Sequence, residues 1–326
     1  MQAMNRKSKD GNDNVWPAVS IIIPTYNRCD DVCMCLDSIL NSKYRGGVEV
    51  IVVDNASTDY TADKVTEKYG IRSDVHIIRL EKNLMAAGGR NAGIKEAHGK
   101  YLLFADSDNI ISADMIAVLV AEMEKDVAIG LIGPVMYYYR DSKRIWFAGN
   151  SLSKVTSKVN NWHHGKTIQE CKLQHIYETD HLPNMMMVRR SVLESLTNPL
   201  FDPQYFIMYE EADFAERIRR KGYKVMCCPG AVTYHNIPLP EQNVENEMRK
   251  LGCDNPLRTY HFSKNRNIYM YKYAKWYGKL AYFMIFRFVF LAYYCIKALK
   301  NRRLDIAKAY IKGAFYRDMR TGKNLR

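Results

Sequence analysis

The sequence predicts an α/β fold in which a mostly parallel sheet is flanked by helices. Short apolar or β-branched runs alternate with amphipathic stretches through the first hundred residues, the pattern of consecutive strand–helix units. The run Tyr101–Phe104 has no polar alternation, as expected for a strand buried on both faces of a parallel sheet. Asp106 and Asp108 follow this run directly, and open α/β sheets bind ligands at the carboxyl ends of their strands.

The first half of the chain is expected to alternate strands and helices in a regular order. Pro24 lacks a backbone N–H and is expected to end the first strand. Polar cluster 54–59 and glycine-bearing segment 83–93 supply turns and helix starts. We predict strands at Val19–Ile23, Val48–Val53, Val75–Arg79 and Tyr101–Phe104. We predict helices after Arg28, over Thr61–Tyr69 and from about Asn83 to Gly99.

The second half is expected to extend the sheet and to contribute a helix that begins with acidic residues. The segment 182–190 is predicted to be a buried strand that runs into a helix headed by Ser191. A second helix is predicted from Glu210 to near Gly222. A short strand is predicted over Lys224–Cys227, and a turn at Pro229–Gly230 separates it from His235.

Charge is distributed very unevenly along the 326 residues. Residues 264–326 contain 16 Lys and Arg but only two acidic residues, so they account for +14, whereas the whole chain carries +13. The first 263 residues are therefore close to neutral. We predict a disordered segment at 1–16, an α/β domain at 17–263 and a basic helical region at 264–326.

The cysteines and the N-terminus favour a reducing compartment. The eight cysteines form no disulfide framework, and Cys29, Cys33 and Cys35 lack a second Cys/His pair at zinc-ligand spacing. The first ten residues are polar and contain no apolar core of a signal peptide. We expect free thiols and a cytosolic location.

The basic region contains an aromatic-rich stretch, Trp276–Ile296, with Arg287 at its centre. Its uninterrupted apolar runs, 280–286 and 288–296, are each too short to span a bilayer, and a central Arg opposes insertion. We expect this stretch to lie in the membrane interface, with aromatic rings at the headgroups and basic side chains reaching the phosphates. A helix packed on the α/β domain and a true span are the alternatives. Nucleic-acid binding is a weaker reading of the same charge, because no recognisable motif accompanies it.

Four segments at the ends of predicted strands or starts of helices resemble the opening of family 2 glycosyltransferases with the GT-A fold. They are Ser-Ile-Ile-Ile-Pro-Thr-Tyr-Asn-Arg at 20–28, Val-Val-Asp-Asn-Ala-Ser-Thr-Asp at 52–59, Gly-Gly-Arg-Asn-Ala-Gly at 88–93 and Phe-Ala-Asp-Ser-Asp at 104–108. The similarity continues through 209–213 and 229–235, covers about residues 18–240 and is nearest to the rhamnosyl- and galactofuranosyl-transferase-like branch. It implies a GT-A, Rossmann-like fold with a nucleotide-sugar half at 17–110 and an acceptor half at 111–263.

The resemblance also implies a nucleotide site. Asp54 matches the carboxylate that contacts the base, and Arg90 matches a side chain near the base or phosphates. The adjoining wall corresponds to Pro24, Thr25, Tyr26 and Asn27. Taken without the resemblance, Asp54 could belong to a helix-capping turn and Arg90 to a surface salt bridge.

A divalent metal site is expected beside the nucleotide. Two carboxylates at i and i+2 on a turn can converge on one hard cation, although a lone pair of this kind is often a solvated turn. The resemblance implies that Asp106 and Asp108 bind Mg²⁺ or Mn²⁺, and that Asp106 also belongs to the donor site. In related enzymes a histidine at the position of His235 completes the metal shell, although a lone His is often structural.

The general base is expected at the start of the helix at Glu210. An inverting transfer needs one carboxylate to take the proton of the acceptor hydroxyl. The resemblance implies Glu211 in this role, with Asp213 second, and the family usually has Glu-Asp where this chain has Glu210-Glu211. Alternatively, these acids only complement the helix dipole. Asn184 stands where the family carries a small residue.

These expectations combine into one hypothesis. The chain is expected to be a metal-dependent inverting glycosyltransferase at the cytoplasmic face of the membrane, peripheral or monotopic. It would take a UDP-, GDP- or dTDP-sugar, a glycan or lipid-linked acceptor and an anionic membrane surface as partners, and no nucleic acid. The alternatives are a catalytically silent nucleotide-sugar-binding or scaffold protein, and a nucleotidyltransferase, which would want a Gly-rich loop after the first strand.

Overall fold

A computed structural model describes residues 16–239 and 251–316. The segment predicted to be disordered, 1–16, lies outside the described residues except for Trp16. In sheet order, the main path of the ten-stranded sheet is β3 (Val75–Arg79), β2 (Val48–Asp54), β1 (Val19–Thr25), β4 (Tyr101–Ala105), β11 (Met185–Arg189), β6 (Ile129–Tyr138), β12 (Lys224–His235) and β10 (Tyr177–Glu178). Strand β5 (Asn109–Ile111) pairs with β12, β7 (Asp141–Phe147) pairs with β6, and β8 (Asn150–Leu152) and β9 (Val159–Asn161) form a separate ribbon.

Helices flank the sheet and also make up the C-terminal region. In the described part of the chain they are α1 (Cys29–Leu40), α2 (Thr61–Tyr69), α3 (Met85–Glu96), α4 (Met115–Lys125), α5 (Ile168–Cys171), α6 (Arg190–Glu194), α7 (Glu210–Arg220), α8 (Pro256–Tyr273), α9 (Trp276–Lys300) and α10 (Leu304–Ala314). The amphipathic face predicted for α1 is buried, because Val32, Leu36 and Ile39 pack into the core below the sheet.

The first half of the chain forms the predicted parallel sheet. Strands β1 to β4 are mutually parallel where they pair, and every residue of β1 and β4 is buried. The prediction that Pro24 ends β1 is wrong, because Pro24 and Thr25 still pair with β2. Pairing between β1 and β4 has already ended at Ile22, so the missing N–H of Pro24 breaks no ladder on that side.

The second half makes the sheet mixed. Strand β11 lies antiparallel between β4 and β6, and β12 is parallel to β6. The predicted turn at Pro229–Gly230 is wrong, because β12 runs from Lys224 to His235 as one strand. A register shift between Cys228 and Val232 absorbs these two residues as a bulge, which bends a strand without ending it.

The strand ends that form the candidate site lie along one edge of the sheet. The carboxyl ends of β1, β2, β4 and β12 lie there, together with the amino end of the antiparallel strand β11. Thr25 pairs with Asp54, Ala105 with Met185, and His235 with Asn109, so these strand ends are neighbours in register. We call this the site edge.

The C-terminal helices pack on the α/β domain through α8. Ten residues of α8 are buried, and the predicted domain boundary at 263/264 falls inside this helix. Helix α10 packs against α8, with Gly313 so close to Tyr260 and Ser263 that a side chain would not fit.

Helix α9 is continuous over 25 residues, including a π-helical turn at Tyr282–Phe286. It is the one helix in the described residues that is long and apolar enough to cross a membrane, and only 17% of its most apolar stretch is buried. Arg287 separates the two predicted apolar runs in sequence, but the helix continues through it and joins both runs in one element.

Candidate active site

Helix α3 brings a buried arginine to the site edge. The helix lies close against the sheet because it carries glycines: a Cβ on Gly89 would lie 2.8 Å from Pro24 Cβ, and one on Gly93 would overlap Ile22. This close approach places Arg90 beside the end of β4. The side chain of Arg90 is fully buried.

Three carboxylates surround the guanidinium of Arg90. Its Nη2 lies 2.8 Å from Asp106 Oδ1 and 3.1 Å from Glu211 Oε1, and its Nη1 lies 3.6 Å from Glu210 Oε1. Arg90 therefore joins the first acidic residue after β4 to the start of α7. The predicted contact of Arg90 with a nucleotide is not supported in this arrangement, because the buried guanidinium faces carboxylates instead of an open surface.

A second group contains Asp108 and His235. Nε2 of His235 lies 3.4 Å from Asp108 Oδ1 and 3.1 Å from Asn184 Nδ2, and the ring of Trp146 packs edge-on at 4.4 Å. The backbone N–H of Asn236 donates to the carbonyl of Asp108 at 2.8 Å, which ties the end of β12 to the turn after β4.

Asn184 links the two groups. Its backbone N–H donates to Glu211 Oε1 at 3.3 Å, and its carbonyl accepts from the N–H of Asp106 at 2.9 Å. Asn184 has a φ of 60°, a left-handed conformation that Asn tolerates better than most residues. Sequence reasoning left the role of Asn184 open and missed Trp146. The sequence signal for Asn184 was a polar amide placed directly before a buried strand.

The electrostatics of the site edge show an excess of negative charge. Burial raises the pKa of Asp106 to about 6 against the opposing effect of Arg90, and the charges of Glu211 and Asp108 add to the rise. Burial also raises the pKa of Glu210 to about 8, with a further contribution from Glu211. Burial alone would raise the pKa of Asp108, but the adjacent His235 outweighs it and lowers that pKa. One arginine thus balances the charge of several acids only in part.

The donor set suits a hard divalent cation in part. Oδ1 of Asp108 is buried, and apart from His235 Nε2 at 3.4 Å it has no hydrogen-bond partner among the described residues, which leaves this oxygen able to bind an ion. The predicted set of Asp106, Asp108 and His235 is nevertheless not assembled. Within residues 16–239 and 251–316, no three His, Cys, Asp or Glu side chains are placed to hold one metal ion, and Arg90 holds one oxygen of Asp106.

The predicted nucleotide wall lies at the same edge, beside these groups. Thr25 and Asp54 are register partners, and each has a buried side-chain oxygen without a partner in the described chain. The other oxygen of Asp54 accepts from Ser57 N–H at 3.2 Å, within the loop that precedes α2 and not at the first turn of that helix. Tyr26 is 44% exposed, and Asn27 bonds to the loop after β2. Pro24 packs under Gly89.

Asp213, the second candidate base, is not brought to this cluster. It is fully buried on the side of α7 that faces α8, where the hydroxyl of Tyr273 donates to Oδ1 at 2.6 Å and Lys272 Nζ lies at 3.1 Å. Its neighbours two and three residues earlier, Glu211 and Glu210, point to Arg90 instead.

The sequence profile described as "Glycosyl transferase family 2" matches residues 20–197, more than half of the chain. The chain belongs to glycosyl transferase family 2. This match contains Arg90, Asp106, Asp108 and Asn184, and it ends before α7. The predicted family is therefore confirmed.

Curated relatives of this chain are named as glycosyltransferases. TuaG of Bacillus subtilis, named as a teichuronic acid biosynthesis glycosyltransferase, is 35% identical over 121 residues, which are 37% of this chain and 48% of TuaG. Staphylococcus aureus TarS, named poly(ribitol-phosphate) β-N-acetylglucosaminyltransferase, is 34% identical over 115 residues, which are 34% of this chain and 20% of TarS. The matched region thus spans less than half the length of each curated relative.

The fold also matches a solved glycosyltransferase. The mannosyltransferase PcManGT from Pyrobaculum calidifontis, in complex with GDP-Man and Mn²⁺, superposes with a TM-score of 0.57 at 20% identity. The match covers 92% of this chain and 86% of PcManGT. The predicted GT-A fold is confirmed, and membership in glycosyl transferase family 2 disfavours the nucleotidyltransferase alternative.

Proposed function

We propose that this protein is a metal-dependent, inverting glycosyltransferase that moves a sugar from a nucleotide-diphosphate donor to a hydroxyl of a glycan or lipid-linked acceptor. The observation that carries the proposal is the position of Glu211. Arg90 connects its carboxylate to Asp106, so a candidate base and a candidate donor-site carboxylate share one guanidinium at the site edge.

The donor is proposed to lie along the ends of β1, β2 and β4. The unpartnered oxygens of Asp54 and Thr25 suit the polar edge of a base or ribose, and the exposed ring of Tyr26 offers a stacking surface. Asp108, His235 and the free oxygen of Asp106 are the side chains that would hold Mg²⁺ or Mn²⁺. When bound, such an ion neutralises the charge that develops on the departing diphosphate.

Glu211 is proposed to take the proton of the acceptor hydroxyl. Its Oε1 is held by Arg90 and by the backbone N–H of Asn184, which fixes the orientation of the carboxylate. Among the described residues only Oε1 has hydrogen-bond partners, so Oε2 is available for proton transfer. The guanidinium of Arg90, 3.1 Å from Oε1, places a positive charge beside this carboxyl group.

The proposed location is the cytoplasmic surface of a membrane. TuaG is named for teichuronic acid biosynthesis, and TarS is named for N-acetylglucosaminyl transfer to poly(ribitol-phosphate). In this chain, α9 exposes apolar side chains on a region that carries +14, which suits an anionic membrane surface.

Binding of UDP, GDP and dTDP, each with and without Mn²⁺, tests the donor proposal by thermal shift. One nucleotide should stabilise the protein in a Mn²⁺-dependent manner, because selective binding stabilises by mass action. Asp108→Ala should abolish the metal-dependent part of the shift, whereas Asp114→Ala, an exposed acid six residues later, should not. An unchanged shift in Asp108→Ala would contradict the proposed metal site.

UDP-N-acetylglucosamine is the first donor to try, because TarS is named for N-acetylglucosaminyl transfer.

A further inference from the structure

The loop that precedes α7 has an uncommon backbone. We call residues 205–209 the base loop, because it leads directly into the helix that carries Glu211. Phe206, Met208 and Tyr209 have φ values of 60°, 66° and 71°, which non-glycine residues adopt rarely. Three such residues within four positions persist only where the surrounding structure holds them.

A buried amide of α8 holds this loop. Nδ2 of Asn265 lies 2.6 Å from the carbonyl oxygen of Tyr205 and 2.8 Å from those of Ile207 and Met208. Asn265 is fully buried, so water does not replace these bonds. The side-chain amide of Asn265 thus contacts three carbonyl oxygens of the base loop. Asn265 belongs to the C-terminal helical region, which is distant from the base loop in sequence.

A neighbouring contact fixes the end of the same loop. Tyr209 is the residue before α7, and its hydroxyl lies 3.4 Å from Arg266 Nε. Arg266 is buried between Phe262 and Phe290, whose rings lie 4.4 and 4.1 Å from its guanidinium carbon. The first turn of α7 follows at once, and Glu211 is its second residue.

We propose that Asn265 is a positioning residue for sugar transfer, which holds the base loop so that Glu211 meets Arg90 and Asn184 at the site edge. The inference rests on the proposed role of Glu211 as base. It assigns part of the catalytic geometry to the basic C-terminal region, which the charge distribution alone would treat as a membrane attachment.

Helix α8 supplies a matched control. Asn267 lies two residues later, is equally buried and also donates to backbone carbonyls, those of Gly313 and Ala314 at 3.3 and 3.0 Å. Asn267 therefore holds α10, whereas Asn265 holds the base loop. Loss of either amide should lower stability, but only loss of Asn265 should displace Glu211.

The test compares full-length Asn265→Ala, Asn265→Ser and Asn267→Ala. The assay is hydrolysis of UDP-N-acetylglucosamine, in which water takes the place of the acceptor hydroxyl and the products are UDP and N-acetylglucosamine. Asn265→Ala should lower kcat for this reaction by about tenfold or more. If the thermal-shift panel selects GDP or dTDP, the matching hexose nucleotide is used and release of that nucleoside diphosphate is measured. The affinity of Asn265→Ala for the Mn²⁺ nucleotide should stay within about twofold, since a positioning loss falls on kcat. Asn265→Ser keeps one donor and should lose less, and it serves if the alanine variant does not fold.

Hydrogen–deuterium exchange gives a second readout that needs no substrate. Peptides covering 205–216 should exchange faster in Asn265→Ala, and peptides covering 304–316 should exchange faster in Asn267→Ala. Equal losses of kcat in the two alanine variants, or unchanged exchange at 205–216 in Asn265→Ala, would overturn the proposal. Glu211→Gln in the same assay tests the base hypothesis separately from the positioning hypothesis. A wild-type kcat in Glu211→Gln would refute the role of Glu211 as general base. The exchange pattern reports only on whether Asn265 holds the base loop.

Discussion

At the residue scale, Glu210 and Glu211 are adjacent and chemically identical, but their surroundings differ. The Glu210 side chain is 4% exposed and lies 3.6 Å from Arg90, whereas that of Glu211 is 15% exposed and lies at 3.1 Å. Burial raises the pKa of Glu210 to about 8, so this residue is mostly protonated at neutral pH. The chain thus places a buried acid with a raised pKa directly before a more exposed carboxyl group that lies closer to Arg90.

This difference gives a matched pair of substitutions. Glu211→Gln should reduce sugar transfer by about 10²-fold or more, because the proton acceptor is lost, while donor affinity stays near the wild-type value. Glu210→Gln replaces a neutral acid by a neutral amide and should retain most of the activity at pH 7. Steady-state kinetics and nucleotide titration check both variants. If Glu210→Gln is the inactive variant, the base is misassigned by one residue.

The raised pKa of Glu210 also predicts that the stability of the protein depends on pH. The unfolded chain releases the proton of Glu210 near its ordinary pKa of 4.5, whereas the folded protein keeps it up to about pH 8. Stability should therefore fall as the pH rises through this window, at most about 1.4 kcal/mol per pH unit. Glu210→Gln removes this loss, so its Tm relative to wild type should increase from pH 5 to pH 8.

The residue types at the site edge could be predicted, but several of their contacts could not. Asp106 and Asp108 were expected from their position after a buried strand, and the structure places both at the site edge. The contacts of Arg90 with carboxylates were not predicted, because they depend on how closely α3 approaches the sheet. The bridging role of Asn184 depends on a left-handed backbone that its sequence neighbours do not specify.

At the element scale, α7 directs its acidic residues to two different places. Glu211 reaches the site edge, whereas Asp213 faces α8 and bonds to Tyr273 and Lys272. Positions two apart on a helix point about 200° from each other, so both could not serve one site. The sequence pattern showed a cluster of acids, but the location of α8, which is distant in sequence, determines which face each acid meets.

Asp213→Asn should therefore lower stability more than activity. The expected loss is about 1.5–3 kcal/mol, the usual contribution of a hydrogen bond to a charged group, because Tyr273 and Lys272 both bind this carboxylate. Urea denaturation measures it, and Tyr273→Phe should produce a loss that is not additive with it. Transfer measured at a temperature where the variant is folded should remain near wild type. Complete loss of transfer by a stable Asp213→Asn would restore Asp213 as the candidate base.

Element boundaries were predicted well where local patterns determine them. Helix α2 and strand β3 have the predicted limits. Asp59 Oδ1 accepts from the Thr61 N–H at 3.1 Å where α2 begins, and Gly70 follows its last residue. The predicted limits of β1 and β12 were wrong for two different reasons. Pro24 continues β1 because pairing with β4 has already ended on that side. Pro229 continues β12 because a bulge accommodates it.

At the scale of the whole molecule, the basic C-terminal region both packs on the domain and exposes an apolar helix. Helix α8 is buried, whereas α9 exposes Trp276, Leu280, Met284, Val289 and Ile296 on the outside of the protein. The sequence predicted an interfacial segment from composition and charge. It could not divide the region into a packed part and an exposed part, because that division depends on contacts with the base loop.

Flotation with phospholipid vesicles tests the membrane proposal. The full-length protein should float with phosphatidylglycerol-containing vesicles at low salt, since each basic group near an anionic surface contributes about 1 kcal/mol. High salt should weaken the attachment without abolishing it, because screening spares apolar burial. The double variant Met284→Glu, Val289→Glu should remain unbound. Ile71→Glu, at a residue that is 98% exposed on the α/β domain, is the matched control and should float. Wild-type protein that stays in solution beside anionic vesicles would contradict the proposal.

The exposed face of α9 also has a consequence for the purified protein. Away from lipid, apolar side chains along 25 helical residues remain in contact with water, which favours any assembly that covers them. We expect the purified chain to carry a collar of detergent, visible as scattering mass in excess of 37.8 kDa. On dilution of the detergent below its micelle concentration, we expect the protein to self-associate, and Met284→Glu, Val289→Glu to remain monodisperse under the same conditions.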